Sequence, residues 1–370
     1  MANLYIIISA FVSAVILGRI IIPNILIISL RKRLFDVPDE RKVHKRPIPR
    51  LGGVTFFPVI LFSLCVFTAV RLMTGHGPAD TSTTDLVCEF LFLTGGLTLL
   101  YIVGIADDLI GVRYQKKFLV QIISAAMFPL SGLYINNFYG LFGIYLIPAE
   151  VGIPLTMLLV VFITNAINLI DGIDGLASGL SMVALLVFGV LFVHFHMWSY
   201  AMLAFVTVGV IIPFFSYNVF GSADLGRKIF MGDTGSLTLG YILGFFVIKY
   251  CMYEPDMLLT MKTSPVLVSF SVLMVPCLDV IRVVLRRARN KRALFMPDKT
   301  HIHHKFLAMG FSPRRALVTI QLMSACFCAF TIVAILYMNN TLVFVIDVVV
   351  WTLLNLWFDH VINRKAKNGE

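Results

Sequence analysis

Polar residues that suit phosphate and metal chemistry occur in three short motifs beside apolar segments. They are Asp107 and Asp108 in GIADDLIGV, Asn168, Asp171 and Asp174 in TNAINLIDGIDGLASG, and Asp233 in FMGDTGS. Adjacent carboxylates repel one another unless a cation lies between them, so a solvated helix end is the simpler alternative for the Asp pair alone. Carboxylate and amide oxygens suit Mg²⁺, which takes few protein ligands and keeps water and phosphate oxygens. The flanking glycines permit close backbone approach, and a helix starting at FMGDTGS would offer its N-terminus to an anion.

Basic and imidazole side chains supply the complementary chemistry. Lys117 follows the Asp pair at the predicted start of a helix, where it could meet a phosphate. His301, His303 and His304 lie in DKTHIHHKF. A zinc site is one interpretation, but no cysteine or further histidine is near in the sequence to complete a tetrahedral shell. Imidazoles amid Lys and Arg suit a phosphate or a sugar better.

The composition places these motifs in a membrane protein. Apolar residues make up 59% of the 370 residues and charged residues 14%, against about 25% charged in soluble proteins. The mean hydropathy is +0.90. A soluble fold of this size could not bury so much apolar surface, so we predict one all-α polytopic membrane domain over residues 1–370.

Apolar segments long enough to span a bilayer occur about eleven times, at about 20 residues each. They cover Leu4–Leu30, Gly52–Leu72, Leu86–Ala106, Phe118–Tyr134, Val151–Leu169, Leu176–His196, Tyr200–Tyr217, Leu237–Tyr253, Ser264–Leu285, Ala316–Met338 and Thr341–Phe358. Backbone groups cannot remain unpaired in lipid, so these segments are predicted to be helices. Residues 136–152 are predicted to form a short turn or hairpin at the membrane interface.

The positive charges distinguish the two sides of the membrane. With the N-terminus outside, 25 of the 30 Lys and Arg residues lie on the inside and three in the outside loops. The inside positions are loops 31–50, 107–117, 170–175, 218–236 and 286–315 and the C-terminal tail. The positive-inside rule therefore predicts an outside N-terminus and a cytoplasmic C-terminus. Anionic lipid head groups and anionic substrates account for the net charge of +10, so no nucleic-acid partner is predicted.

All of the polar motifs fall at predicted cytoplasmic ends or in cytoplasmic loops. Random placement would distribute them to both sides, so we predict one active site at the cytoplasmic face, formed by these loops. Asp279 and Arg282 lie three residues apart within the ninth span. An unpaired charge in a span costs about 2.5–3.5 kcal/mol, which favours a structural ion pair between them.

The motifs RKVHKRPIPRLGG, GIADDLIGV, TNAINLIDGIDGLASG, FMGDTGSLTLG and HIHHKF, in this order, resemble those of the polyprenyl-phosphate N-acetylhexosamine-1-phosphate transferases of glycosyltransferase family 4. The form HIHHKF resembles the branch that transfers N-acetylglucosamine 1-phosphate. The resemblance implies that UDP-N-acetylglucosamine and undecaprenyl phosphate give undecaprenyl-pyrophosphoryl-N-acetylglucosamine and UMP, with Mg²⁺, or alternatively Mn²⁺. It implies the inner cell membrane as the location, and the first lipid-linked step of cell-envelope polysaccharide synthesis as the role.

The resemblance also implies roles for single residues. Asp233 is the expected principal metal ligand, with Asn168 as its companion. The candidate catalytic carboxylates are Asp107, Asp108 and Asp171, the first two at the lipid phosphate. The candidate substrate-binding residues are Lys117, Asp174, His301, His303, His304, Lys45 and Arg46. The segment YNVFGSADLGRKIFMGD is longer than usual in the family and lacks its Pro, so the resemblance assigns no role to Asn218, Arg227 or Lys228.

Three alternatives accompany this interpretation. Another UDP-N-acetylhexosamine is an alternative donor, and a homodimer is one alternative for the oligomeric state. A secondary transporter for an anionic metabolite is the alternative of a different class. Transporters place their site near the bilayer midplane on broken helices, commonly with internal repeats. This sequence has its acidic groups at span ends and shows no repeat, which favours the enzyme.

Overall fold

The long apolar segments all form helices. The computed structural model describes residues 1–35, 48–77, 83–252, 264–291 and 300–368. The helices are α1 (Ala2–Lys32), α2 (Phe56–Met73), α3 (Thr83–Ile110), α4 (Tyr114–Leu130), α5 (Ala149–Ile170), α6 (Leu176–His194), α7 (Trp198–Val219), α8 (Gly232–Cys251), α9 (Pro265–Arg289), α10 (Ile302–Ala308), α11 (Pro313–Ala334) and α12 (Asn340–Asn368). The predicted substrate-binding residues Lys45 and Arg46 lie outside the described residues.

The predicted class of an all-α polytopic membrane protein is confirmed. Each predicted span falls on one of these helices, and ten of the described helices are long and apolar enough to cross a membrane. The remaining predicted span is α4, which has 17 residues. Its length of about 25 Å is at the short end of what a bilayer requires.

Three helices extend beyond the apolar segments that predicted them. Helix α3 continues to Ile110, so Asp107 and Asp108 lie in its last turns. Helix α8 begins at Gly232, which brings Asp233 into its first turn. Helix α12 continues ten residues past Phe358, to Asn368. Apolar character marks the part of a helix that meets lipid, whereas backbone hydrogen bonding continues into polar surroundings, so hydropathy underestimates helix length.

Helix α8 is the centre of the bundle. Its residues from Thr234 to Cys251 are all buried, and its mean hydropathy of 1.3 is the lowest among the spanning helices. Helix α1, by contrast, has a mean hydropathy of 2.3 and exposes most of its length. A helix surrounded by protein can carry Gly, Ser and Thr, which allow helices to approach closely. Gly240 lies so near helix α5 that an added Cβ would come within 2.6 Å of Thr164 Cα.

A small hairpin connects α4 and α5, as predicted for residues 136–152. Strand β1 (Asn137–Leu141) pairs antiparallel with β2 (Ile144–Leu146), and Asn137 is opposite Leu146. Asn340 Nδ2 donates to the carbonyl oxygen of Tyr139 at 2.7 Å, which joins the hairpin to the start of α12.

Candidate active site

The acidic motifs converge where α3 ends and α8 begins. Lys117, in the first turn of α4, links them: its Nζ donates to Asp233 Oδ2 at 2.5 Å and to Asp107 Oδ2 at 3.1 Å. The Asp107 Oδ1 atom also accepts the backbone N–H of Val112 at 2.6 Å, which closes the α3–α4 turn. All three charged side chains are partly exposed, at 18–25%. The Lys117 ammonium group thus lies between two partly exposed carboxylates. The sequence motifs permit this arrangement but do not predict it.

Asp108 has a different environment from that of its neighbour Asp107. Its Oδ1 accepts the backbone N–H of Asp233 at 2.7 Å, and its Oδ2 accepts the N–H and the hydroxyl of Thr234 at 3.0 and 2.6 Å. The first N–H groups of a helix have no partner within the helix. Asp108 therefore caps α8 from α3 and holds Asp233 in place.

Gly232 is required at the start of α8 for two reasons. Its φ is +72°, which side chains rarely adopt, and an added Cβ would lie 2.6 Å from the Asp108 carboxylate oxygens. It would also lie 2.1 Å from the carbonyl oxygen of Arg50. The glycine of the MGD motif thus leaves room for the capping contact between Asp108 and α8.

The RLGG segment lies directly against the beginning of α8. The N–H groups of Gly52 and Gly53 donate to the carbonyl oxygens of Phe230 and Met231, at 2.9 and 2.8 Å. The Cα of Gly53 is so near Gly235 that a Cβ would come within 2.2 Å of its backbone. These contacts place the chain that follows the first predicted cytoplasmic loop against the start of α8.

Asn168, in the last turn of α5, also reaches the start of α8. Its Nδ2 donates to Ser236 Oγ at 2.8 Å, and the side chain interacts with the Asp233 carboxylate. A carboxylate and an amide oxygen from two helices suit Mg²⁺, which needs only one or two protein ligands beside phosphate oxygens. Within the described residues, no three His, Cys, Asp or Glu side chains form a metal-binding group. The donor set therefore fits a metal shared with a diphosphate, and Mg²⁺ stays a prediction.

Asp171 follows α5 directly and has acidic neighbours. Solvent reaches one side of the residue, but burial of the carboxyl group by the surrounding protein raises the pKa of Asp171 to about 7. The negative charges of Asp174 and Asp233 act in the same direction, and Arg50 opposes them. Protons and cations are both favoured in such a crowded acidic environment.

Asp174 and two residues that the sequence left unassigned hold the loop after α5. Lys228 Nζ lies 2.5 Å from Asp174 Oδ2. Asn218 Oδ1 accepts the N–H of Gly175 at 2.6 Å, and its Nδ2 donates to the carbonyl oxygen of Ile229 at 2.9 Å. The segment after α7 thus folds back on the loop at 170–175. The resemblance assigned no role to Lys228 or Asn218, and the fold shows that both bind the loop after α5.

The predicted ion pair of Asp279 and Arg282 is confirmed and has a further partner. Arg282 Nη2 donates to Asp279 Oδ1 at 2.7 Å. His301 Nδ1 lies 2.8 Å from Asp279 Oδ2, and the N–H of Ile302 donates to Oδ1 at 3.0 Å. A buried carboxylate on α9 thereby fixes the start of α10, the helix that carries the His motif.

The three histidines differ in their surroundings. His303 is 2% exposed and packs on Gly172, where an added Cβ would lie 2.1 Å from His303 Nε2. Burial, with smaller contributions from His304 and His301, lowers the pKa of His303 to about 3. His301 is buried against Asp279, and His304 is partly exposed. The fold brings the His motif against the loop after α5 and gives the three histidines unequal access to solvent.

Sequence comparisons identify proteins that are similar to this chain. The model of the family described as glycosyl transferase family 4 matches residues 90–251. A Bacillus subtilis (strain 168) protein, described as a probable undecaprenyl-phosphate N-acetylglucosaminyl 1-phosphate transferase, is 31% identical over 349 residues, covering 92% of this chain and 89% of the relative. An undecaprenyl-phosphate alpha-N-acetylglucosaminyl 1-phosphate transferase of Yersinia pestis is 29% identical, covering 80% and 76%. A decaprenyl-phosphate N-acetylglucosaminephosphotransferase of Mycolicibacterium smegmatis is 31% identical, covering 80% and 74%.

Proposed function

The chain belongs to glycosyl transferase family 4, and we propose that it transfers N-acetylglucosamine 1-phosphate from UDP-N-acetylglucosamine to undecaprenyl phosphate. An oxygen of the lipid phosphate attacks the phosphorus that carries the sugar. The bond from that phosphorus to the bridging oxygen breaks, and UMP leaves with the electron pair. The products are undecaprenyl-pyrophosphoryl-N-acetylglucosamine and UMP.

The observation that carries this proposal is the partly exposed group of Asp107, Lys117 and Asp233 where α3, α4 and α8 meet. Phosphoryl transfer requires charge neutralisation and in-line positioning more than covalent participation by the protein. The Lys117 ammonium group contacts both carboxylates, and a bound diphosphate would compete with them for it. Lys117 would then stabilise the negative charge that develops on departing UMP.

Asp233 and Asn168 are the residues that would hold Mg²⁺, the first through its carboxylate and the second through its amide oxygen. When bound, Mg²⁺ neutralises diphosphate oxygens and polarises the phosphorus that is attacked. Asp108 would position Asp233, because both of its oxygens are engaged by the first turn of α8. Asp107 is then the member of the pair that would orient the lipid phosphate or accept its proton.

The location that we propose is the cytoplasmic face of the inner membrane. The Lys and Arg bias supports this sidedness, since the basic last turns of α1 and α9 precede loops of the predicted inside. A lipid-linked acceptor also requires a site at the boundary of membrane and water. Cysteines introduced in residues 31–50 and 286–315 should react only with reagents applied from the cytoplasmic side. Labelling of either segment from outside would overturn the proposed sidedness.

The test of the activity is UMP release by the purified protein with Mg²⁺, undecaprenyl phosphate and a panel of UDP-sugars. We expect release that requires the lipid phosphate and is fastest with UDP-N-acetylglucosamine. Faster release with another UDP-N-acetylhexosamine would change the assigned donor. Uptake of labelled sugar nucleotide into proteoliposomes without lipid phosphate, with no UMP formed, would replace the enzyme by a transporter.

A further inference from the structure

The helix of the His motif, α10, is attached to the bundle through two buried charged residues, Asp279 at its start and Lys305 within it. At its start, the fully buried Asp279 carboxylate accepts from Arg282, His301 and the N–H of Ile302. Arg282 Nη2 also donates to the carbonyl oxygen of Thr300 at 2.5 Å. The chain is thus held on both sides of His301 by a carboxylate and its partner from helix α9.

The second attachment comes from the C-terminal helix α12. Lys305 is 4% exposed, and its Nζ lies 2.9 Å from Asp359 Oδ1 and 3.2 Å from Asn355 Oδ1. Beyond the end of α10, Lys365 Nζ donates to the carbonyl oxygen of Met309 at 3.1 Å. Lys305 belongs to the HIHHKF motif, yet it points toward α12 and not toward the acidic group.

These attachments leave the histidines with separate tasks. His301 binds the Asp279 carboxylate, and the ring of His303 packs on Gly172. His304 is partly exposed, and its ring lies 4.2 Å from that of His303 at an angle of 45°. A seven-residue helix has little stability of its own, so its orientation depends on these outside contacts.

We propose that Asp279 and Lys305 are positioning residues for the sugar nucleotide, which hold α10 on the 170–175 loop so that His304 meets the donor. The inference rests on the proposed function, because the donor is the UDP-sugar. Neither residue touches the donor. The C-terminal helix α12, far from the acidic motifs in the sequence, thereby takes part in donor use.

The alternative is that both attachments only stabilise the fold. The two hypotheses differ in which kinetic constant changes. A residue that positions α10 should affect the UDP-N-acetylglucosamine KM and kcat/KM, and should leave the KM for undecaprenyl phosphate nearly unchanged. A residue that only stabilises the fold should reduce the amount of active enzyme without changing either KM.

The experiment compares Asp279→Asn and Lys305→Met with Glu89→Gln, a matched control. Glu89 pairs with Lys249 at 3.1 Å, and both are buried as Asp279 and Lys305 are, but at the other end of α8. UMP release is measured against each substrate separately in the purified full chain. We expect Asp279→Asn and Lys305→Met each to lose about tenfold to hundredfold in kcat/KM for UDP-N-acetylglucosamine. This is the range expected for the loss of one charge-assisted hydrogen bond. Glu89→Gln should keep the wild-type KM for both substrates.

A conservative variant guards against simple misfolding. Lys305→Arg keeps the charge toward Asp359 and should recover most of the donor kcat/KM that Lys305→Met loses. Equal changes in the KM of both substrates would overturn the inference. So would KM values for Asp279→Asn and Lys305→Met that match those of Glu89→Gln. Neither result would contradict the proposed transferase function. No UMP release by the wild-type protein with any UDP-sugar would instead overturn the proposed function, and this inference with it.

Discussion

Two ion clusters link the same pair of helices, α3 and α8, at opposite ends. At one end, Asp107 on α3 and Asp233 on α8 share Lys117. At the other, Glu89 on α3 pairs with Lys249 on α8 at 3.1 Å. The two positions on α8 are 16 residues, about 24 Å, apart. The similar chemistry of the clusters allows their surroundings to be compared directly.

The clusters differ in exposure and in the balance of charge. The side chains around Lys117 are 18–25% exposed, whereas those of Lys249 and Glu89 are 3% and 7% exposed. Tyr200 donates its hydroxyl to Glu89, and its ring lies 5.1 Å from Lys249 Nζ. Among the described residues, the negative charges of Asp174, Asp233 and Asp108 act on Asp171, and the charge of Arg50 opposes them. The Lys117 cluster is therefore partly open to solvent and rich in carboxyl groups, whereas the Lys249 cluster is buried.

The largest expected effect concerns Asp233, the residue at the open end of α8. Asp233→Asn should reduce UMP release about 1,000-fold or more, roughly 4 kcal/mol, because the charge that would hold Mg²⁺ is lost. The melting temperature should stay near that of the wild type, because the side chain is partly exposed. Asn168→Ala should instead raise the Mg²⁺ concentration needed for half-maximal activity. Near-wild-type release by Asp233→Asn at any Mg²⁺ concentration would remove Asp233 from the metal site.

The buried Lys249 cluster should show the opposite behaviour. Glu89→Gln removes the negative charge that lies 3.1 Å from the buried Lys249 ammonium group, which should destabilise the protein by about 3 kcal/mol or more. Thermal melting in detergent measures this loss, and the activity per folded molecule should stay unchanged. A changed KM for the donor or the acceptor in Glu89→Gln would show that the two ends of α8 are coupled.

Asp107 and Asp108, at the end of α3, are also expected to differ: both should affect turnover, but only Asp108 should affect stability. Asp107→Asn should lower kcat about tenfold to hundredfold, the range of one charge-assisted hydrogen bond, and should leave the donor KM nearly unchanged. Asp108→Asn should also reduce stability by about 1–2 kcal/mol, since it weakens the cap of α8. The measurements are steady-state kinetics and thermal melting of both variants. Unchanged kcat with a large rise in donor KM would move Asp107 to the nucleotide side.

A further expected effect concerns pH and His303, which packs on Gly172 in the loop after α5. The pKa of His303 is lowered from 6.5 to about 3, so the unfolded chain binds a proton below pH 6.5 that the folded chain does not. Stability is therefore lost as the pH falls below 6.5. At pH 5 the wild type should lose about 2 kcal/mol relative to His303→Gln, which cannot take up this proton. Melting curves of both proteins at pH 5 and pH 7.5 test this, and parallel shifts would contradict the buried neutral imidazole.

That the motifs of the candidate active site lie at one end of the bundle was predictable from the sequence. Asp107 and Asn168 lie at the ends of predicted spans, and Asp233 lies just before one. Successive spans cross the membrane in opposite directions, which places all three residues at the same end of the bundle. The pairing of Asp279 with Arg282 was also predictable, because residues three apart are neighbours on a helix. What the sequence predicted less well was where helices end, as the extended α12 and the early start of α8 illustrate.

The partners of these groups were not predictable in the same way. Asp107 and Asp108 are adjacent and chemically identical, yet one binds Lys117 and the other caps α8. Lys305, within a motif expected to bind substrate, instead binds α12 through Asp359. Such contacts join residues that are far apart in the chain, and each depends on which helices are neighbours.

The sequence by itself therefore determined the membrane class, the helices and the end of the bundle where the acidic and His motifs gather. It could do so because lipid imposes its requirements on composition and length directly, segment by segment. Only the tertiary structure decided the role of each polar group. Helix neighbours depend on close contacts between small residues, such as Gly104 of α3 against Thr234 of α8, where an added Cβ would lie 2.6 Å from Thr234 Cα. Hydropathy does not encode these contacts, and they determine which carboxylate remains open to solvent and which one holds a helix.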